Sequence, residues 1–281
     1  MYGWKARIGL ITPMPGENVE HAFHIYAPPG VSFSSMKMVF PGPTPEGLAI
    51  LTDQLEENAA KYKGKGFDLL VFGCTAGSFI KGAGWDRECI QTMERASGTP
   101  ALTTSTAVLE ALAALGAKTT AVLTPYPEAT NAAEKSFLEH NGFSVSAIEG
   151  MDVSGFKDGG FYFADDHFLY SNSKKMDRKG ADVFFLSCMA LDTLGLVKDL
   201  EEDLGVPVVT SHQATLWAAL RRCGVRDAEA RGFALGAAAH GIGTARAIEM
   251  GAVEGALSGL AMALMGLATA LLMPLMERYL Y

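Results

Sequence analysis

The sequence lacks the motifs that mark common nucleotide-dependent enzymes, serine hydrolases and nucleic-acid-binding proteins. No Gly-x-Gly-x-x-Gly motif follows an apolar run, and no Walker loop is present. The Gly-x-Ser-x-Gly motif of serine hydrolases is also absent. The 281-residue chain carries a net charge of −8 and no basic stripe. Because nucleic-acid binding requires clustered Lys and Arg, we do not expect a nucleic-acid partner.

Disulfide and metal patterns are missing as well. The chain has four cysteines, and none of them lies at the spacing of a metal site. No signal sequence is found before the first apolar run. Free cysteines are typical of a reducing compartment, so we expect a cytoplasmic protein. Cys89 and Cys223 are interpreted as ordinary helix residues.

The other two cysteines occupy matching sequence contexts. Each follows an apolar run that predicts a buried parallel strand, within segments 67–78 and 181–192. Ligands of open α/β sheets bind at the carboxyl ends of such strands. We therefore expect Cys74 and Cys188 to face one substrate from two sides. Amide groups of the following turns should lower the thiol pKa from about 8.5 toward neutrality.

The repetition extends beyond the cysteines. Two further pairs of segments recur in the same order, namely 11–15 with 123–127 and 98–107 with 205–214. Strand-like and helix-like segments alternate over about the first two hundred residues, which favours parallel sheets with crossover helices. The sequence therefore predicts an α/β fold of two related lobes within an enzyme domain, 1–226. The lobes span about 1–115 and 116–210, and 211–226 packs back on the first.

The C-terminal part, 227–281, has a different composition and predicts a hydrophobic helical tail. No charged residue occurs between Gly255 and Met276. As a helix this stretch would be about 33 Å long, enough to cross a bilayer core of about 30 Å. Hydropathy thus favours membrane contact through 255–276. The alternative is a buried helix or one that forms a homo-oligomer.

Residues 5 to about 225 resemble the family that holds maleate cis-trans isomerase and arylmalonate decarboxylase, within the aspartate/glutamate racemase superfamily. The motifs that carry this resemblance are Ile8-Gly-Leu-Ile-Thr-Pro, Phe72-Gly-Cys-Thr-Ala-Gly-Ser, Thr103-Thr-Ser-Thr-Ala-Val-Leu-Glu-Ala-Leu, Leu123-Thr-Pro-Tyr-Pro, Leu186-Ser-Cys and Gly205-Val-Pro-Val-Val. The resemblance implies two pseudo-two-fold related lobes with four-stranded parallel sheets and an active site between them. It also implies that no metal or organic cofactor is needed. Residues 230–278 resemble the C-terminal end of LrgB-type membrane proteins, as a natural fusion or a misjoined reading frame.

Further site residues follow from the cysteines and from the resemblance. Backbone N–H groups of Thr75, Ala76 and Met189 are candidates to bind a carboxylate or an enediolate. The decarboxylase branch has a hydroxyl where Ala76 stands, and Ser78 is a candidate to replace it.

Two more residues are implied by the resemblance alone. Tyr126 matches a tyrosine that contacts a substrate carboxylate, and Asn18 follows the turn where isomerases carry a substrate-binding Asn. His212, by contrast, is expected to be structural or peripheral, since Ser105 takes its place in the first lobe.

The function predicted from these features is a cofactor-independent isomerase acting on a small carboxylate, with a dicarboxylate such as maleate as the expected substrate. The two thiols suit racemisation of an amino or hydroxy acid as well. Decarboxylation ranks third, because the decarboxylase has glycine where Cys74 stands. An inactive binding domain tethered to a membrane is the non-enzymatic alternative.

Overall fold

Two parallel sheets of the same topology form the fold. The computed structural model describes residues 3–156, 162 and 164–225. The strands of the first sheet are β1 (Ala6–Pro13), β2 (Val31–Met38), β3 (Leu69–Phe72) and β4 (Ala101–Thr103), and those of the second are β5 (Thr119–Thr124), β6 (Ser144–Gly150), β7 (Val183–Leu186) and β8 (Val208–Thr210). Their orders are β2-β1-β3-β4 and β6-β5-β7-β8. All pairs are parallel, which confirms the predicted fold class of two related four-stranded lobes.

Helices connect the strands in both lobes. The first lobe contains α1 (Glu17–Tyr26), α2 (Pro45–Asp53), α3 (Leu55–Ala60), α4 (Thr75–Phe79), α5 (Trp85–Ser97) and α6 (Thr104–Ala114). The second contains α7 (Glu128–His140), α8 (Asp166–Lys175), α9 (Val197–Leu204) and α10 (Ser211–Arg222), with a 3-10 turn at Leu194–Leu196. Because helices cover the sheets, all four residues of β3 and of β7 are buried, as their apolar sequences predict.

The repeated segments have the same structural task in each lobe. Thr103 ends β4 and caps α6 by accepting a hydrogen bond from the Thr106 amide. Thr210 ends β8 and caps α10 in the same way, through the Gln213 amide. The repeat therefore encodes a strand, an N-cap and a helix, which is the usual role of Thr at a helix start.

Helices of each lobe also pack on the other lobe. The Thr215 hydroxyl on α10 donates to the Thr104 hydroxyl on α6 over 3.2 Å. On the opposite side, the Phe79 ring of α4 lies 6.1 Å from the Phe137 ring of α7, centroid to centroid. The two lobes thus share apolar and polar contacts around a common interior.

The predicted helical tail, including its candidate membrane span at 255–276, lies outside the described residues. Among the helices that the structure does describe, none is long and apolar enough to cross a bilayer. Over the same residues, no group of three or more His, Cys, Asp or Glu side chains is arranged to hold a metal ion.

Candidate active site

One cavity lies at the carboxyl ends of the central strands, where both matching cysteines are found. Cys74 follows β3 and Cys188 follows β7, and both cysteines line the cavity. The space inside is about 410 Å³, including solvent at the mouth. Its lining comprises Pro13, Gly16, Asn18, Val19, Phe40, Pro43, Leu48, Gly73, Cys74, Thr75, Ala76, Tyr126, Tyr162, Cys188, Met189 and Ala190.

Cys74 occupies the N-cap position of the short helix α4. Its sulfur accepts a hydrogen bond from the Gly77 amide over 3.3 Å. The residue is extended, with φ −144° and ψ 108°, and only 6% of it is exposed. The strand-to-helix turn that the sequence predicts is therefore present on this side of the cavity.

Cys188 has a different backbone, because a turn rather than a helix follows it. Its φ is +125°, which is uncommon for any residue with a side chain. The sulfur accepts a hydrogen bond from the Ala190 amide over 3.3 Å. The Leu191 amide donates to the Cys188 carbonyl over 3.4 Å. This amide and the Tyr126 hydroxyl also lower the pKa of the thiol, so three donor groups around Cys188 favour the thiolate.

Burial dominates the acidity of both thiols. It raises the pKa of Cys74 to about 12, against the smaller effect of the Gly77 amide. It also raises the pKa of Cys188 to about 11, despite the Tyr126 hydroxyl and the backbone amides. The expectation that amide groups would bring both values toward neutrality was wrong, because the loss of hydration on burial outweighs these hydrogen bonds.

Tyr126 is held at the cavity by the repeated Thr-Pro motif. The Thr124 hydroxyl accepts from the Tyr126 amide over 3.0 Å and donates to Asn131 over 2.6 Å. The Asn131 side chain donates in turn to the Tyr126 carbonyl over 3.3 Å. Burial, reinforced by Cys188, raises the Tyr126 pKa well above its usual range, so the hydroxyl remains a donor.

Asn18 and Thr75 link the two lobes at the cavity wall. The Asn18 amide nitrogen donates to the Met189 carbonyl over 3.1 Å. The Thr75 hydroxyl donates to the Ser211 hydroxyl over 3.0 Å, and the Cys188 amide donates to the same Ser211 oxygen over 3.0 Å. Ser211 therefore links Cys188 to Thr75, the residue that follows Cys74.

Ser78 lies behind the cavity rather than on its wall. Its hydroxyl is fully buried and lies within hydrogen-bond distance of the Cys74 carbonyl, the Thr75 carbonyl and the Ser105 hydroxyl, at 2.9, 2.9 and 2.7 Å. Ala76, by contrast, lines the cavity. The structure therefore brings together seven of the eight predicted residues, and it places Ser78 in the supporting network.

Sequence reasoning missed Ser211 and Glu134. Ser211 had a signal, since it matches Thr104 in the repeat and both are buried polar residues at a helix start. Glu134 had one as well, because it lies on the α7 face that also carries Thr130, Phe137 and Leu138, all of them buried. A carboxyl group in the middle of such a face is unusual.

His212 is fully buried at the start of α10. Its ring meets the Phe23 ring edge-on, at a centroid distance of 6.1 Å. Burial lowers its pKa to about 4, so the imidazole is neutral at neutral pH. The residue is not part of the cavity wall, in line with the structural role expected for it.

Comparison with known proteins gives two matches along the chain. A model of the arylmalonate decarboxylase family matches residues 8–235, and one of the LrgB-like family matches residues 211–279. Arylmalonate decarboxylase of Bordetella bronchiseptica is 28% identical over 219 residues, covering 77% of this chain and 90% of that protein. Maleate isomerase of Nocardia farcinica is 26% identical over 225 residues, covering 76% and 89%.

A solved structure shares the fold. It is that of a cysteine-to-serine variant of the Nocardia farcinica maleate cis-trans isomerase, with a covalently bound succinylcysteine intermediate. The TM-score is 0.71 at 22% identity, and the alignment covers 78% of this chain and 93% of the other. With the family match spanning most of the sequence and both sheets, the chain belongs to the arylmalonate decarboxylase family.

Proposed function

We propose that the protein is a cofactor-independent isomerase of a small dicarboxylate, with maleate as the first candidate, and that Cys74 and Cys188 carry its chemistry. The observation behind this proposal is that one thiol from each lobe lines the same cavity. Such a pair can act on a substrate from two sides. A relative of this chain, the Nocardia farcinica maleate isomerase, supports the proposed substrate class.

The reaction needs a thiol pair that holds one proton. The Cys74 thiolate adds to one alkene carbon, and Cys188 gives its proton to the other. The carbon–carbon double bond becomes single, and the adduct rotates about it. The Cys188 thiolate then removes a proton from the same carbon while the carbon–sulfur bond breaks. This returns the Cys74 thiolate and releases the trans isomer, in line with the succinylcysteine intermediate of the Nocardia enzyme.

Charge moves to Cys188 when the adduct forms, and its surroundings suit that charge. The Ala190 amide donates to its sulfur, and the Leu191 amide and the Tyr126 hydroxyl also lower the pKa of the thiol. These donors are fixed before the reaction, which is the arrangement that stabilises a developing charge at least cost. Thr75 and Ala76 begin α4, so their N–H groups have no acceptor within the helix and are suited to a substrate carboxylate.

Decarboxylation of a substituted malonate is the second candidate, and the cavity wall favours it in one respect. Pro13, Val19, Phe40, Pro43 and Leu48 give that wall an apolar part, which suits an apolar substituent on the substrate. The family match and the Bordetella bronchiseptica relative support it too. Racemisation of an amino or hydroxy acid would use the same two thiols to take and give a proton on opposite faces.

A proton NMR screen in heavy water separates these reactions. The protein is incubated with maleate, aspartate, glutamate and an arylmalonate. Conversion of the maleate singlet to that of fumarate supports isomerisation. Loss of the α-proton signal of an amino acid indicates racemisation, and an arylacetate product indicates decarboxylation. If maleate stays unchanged while either other reaction proceeds, the isomerase proposal is wrong.

The cellular location belongs to the same proposal. We infer a cytoplasmic catalytic domain whose tail contacts a membrane through 255–276. The match of residues 211–279 to the LrgB-like family supports this placement. Fractionation of cell extracts tests it, because a membrane-bound chain sediments with the lipid and is released by detergent.

A further inference from the structure

A buried carboxyl group lies behind the cysteine turn of the second lobe. Glu134 projects from α7 and is 1% exposed. Its Oε1 atom accepts a hydrogen bond from the Ser187 hydroxyl over 2.6 Å. Its Oε2 atom is buried without a hydrogen-bond partner among the described residues. Since Ser187 immediately precedes Cys188, this carboxyl group is anchored to the backbone that carries the thiol.

At the matching positions of the first lobe, all of which the structure describes, no such pair occurs. Asp86, a buried acid elsewhere in that lobe, accepts a hydrogen bond from the Thr106 hydroxyl instead. Gly73 stands where Ser187 stands in the second lobe, and the buried residues of α1 are Val19, Ala22 and Phe23. A buried acid is costly, because an ionised carboxylate loses its hydration. The presence of a buried carboxyl group behind only one of the two cysteines therefore indicates a function on that side of the cavity.

The charge of Glu134 acts on the second lobe's half of the site. Ionised, it raises the pKa of Cys188 and that of Tyr126. No comparable effect is found on Cys74, whose pKa depends on burial, the Gly77 amide and Cys188. Burial raises the pKa of Glu134 itself to about 8, against a smaller opposing effect of the Ser187 hydrogen bond.

Few other titratable groups face this carboxyl. The packed elements α4, β5 and β7 carry no Asp, Glu, His, Lys or Arg. On β6 the one such residue is Glu149, which is exposed at the surface. The groups that remain are Cys188 and Tyr126, together with Tyr162, whose pKa burial and the charges of Cys188 and Cys74 raise.

We propose that Glu134 is a positioning residue that controls the charge on Cys188 through its own protonation. As a neutral acid it allows a thiolate to form on Cys188. As a carboxylate it keeps Cys188 in the thiol form by repulsion between like charges.

This inference rests on the proposed function in one respect, the proton transfer assigned to Cys188. In that reaction a thiolate appears on Cys188 when the adduct forms, and a second buried negative charge beside it would oppose the step. A neutral Glu134 removes that obstacle at neutral pH. Above about pH 8 the carboxylate forms, and turnover should be limited on the alkaline side.

The test measures the thiols without any substrate. Glu134→Gln keeps an oxygen acceptor for Ser187 and removes the ionisable group. Alkylation of Cys188 by iodoacetamide, followed by peptide mass spectrometry from pH 6.5 to 9.5, reports its thiolate fraction. The ratio of variant to wild-type rate should be near one at pH 6.5. It should rise to about tenfold at pH 9.5, the effect of one pKa unit.

Cys74 is the control within the same sample, and its ratio should remain near one throughout. A merely structural change would alter the rates at every pH. A ratio for Cys188 that does not change with pH, or one that rises equally for Cys74, would overturn the proposal.

A second variant keeps the carboxyl group and changes its acidity. Ser187→Ala removes the hydrogen bond that lowers the Glu134 pKa, so Glu134 should ionise at a higher pH. Suppression of Cys188 alkylation should then begin at a higher pH than in wild type, and an unchanged or lower onset contradicts the role. Because these readouts need no turnover, the proposed isomerase function can fail in the NMR screen while the control by Glu134 stands.

Discussion

Replacing Ser211 with alanine should weaken both the protein and its site. Ser211 is fully buried, and its hydroxyl oxygen accepts hydrogen bonds from the Cys188 amide and the Thr75 hydroxyl, each over 3.0 Å. Alanine leaves the Cys188 amide without this acceptor. In the wild-type protein this hydrogen bond holds Cys188 at φ +125°, a backbone conformation that is unfavourable by itself.

The magnitude follows from these two hydrogen bonds. The Thr75 hydroxyl can rotate toward another acceptor, whereas the Cys188 amide cannot. A buried donor left without an acceptor costs about 1–3 kcal/mol, so we expect the free energy of unfolding to fall by about 2 kcal/mol. Displacement of the Cys188 sulfur should lower kcat by about tenfold or more, since small errors of position are costly in catalysis.

Urea unfolding and turnover of the substrate identified by NMR measure these two effects. Ser105→Ala is the matched control, because Ser105 is also buried at the start of a helix. Its hydroxyl contacts Ser78 and the Thr75 carbonyl and does not contact Cys188. The control should lose stability with a much smaller loss of kcat. If Ser211→Ala keeps wild-type stability and kcat, the bridging role is wrong.

Four other outcomes are expected. Cys74→Ser and Cys188→Ser should each abolish steady-state turnover, whereas Cys89→Ser, away from the cavity wall, should keep turnover close to wild type. Cys74→Gly should lose isomerisation and retain at most weak carbon dioxide release from a malonate. Fast release by wild type with none from the variant would mean that Cys74 supports decarboxylation, and would rank decarboxylation above isomerisation. In urea unfolding, the free energy of unfolding of Cys188→Gly should exceed that of Cys188→Ala by about 1 kcal/mol, because glycine tolerates the positive φ. Truncation after residue 226 should leave a folded, soluble domain, measured by circular dichroism and size exclusion, and an aggregated product would contradict it.

The fold and the thiol positions were predictable because they depend on local sequence patterns. A buried parallel strand is a short apolar run, as in Leu69–Phe72 and Val183–Leu186, and the residue after it lies at the ligand edge of the sheet. Comparison of the two halves then identified the equivalent positions. The placement of Cys74 and Cys188 follows directly from these two rules.

Other features depend on packing between the lobes, which the sequence pattern does not express. The acidity of the thiols is the sum of burial by many residues, and it exceeds the effect of the nearby amides. The direction of the Ser78 hydroxyl depends on how α4 is rotated about its axis. Burial of Glu134 requires that α7 be covered on the face that carries it, where Phe137 meets Phe79 of α4.

The differences between the two lobes give the thiols different properties. Tyr126 of the second Thr-Pro motif lines the cavity, whereas Met14 of the first is more than half exposed. Two backbone amides and the Tyr126 hydroxyl lower the pKa of Cys188, which also has Glu134 behind it, whereas the Gly77 amide alone does so for Cys74. A duplicated fold supplies two equivalent positions, but a reaction that moves charge from one side to the other needs unequal ones. Cys188 is the side built to hold a transient negative charge, which leaves addition to the substrate carbon to Cys74.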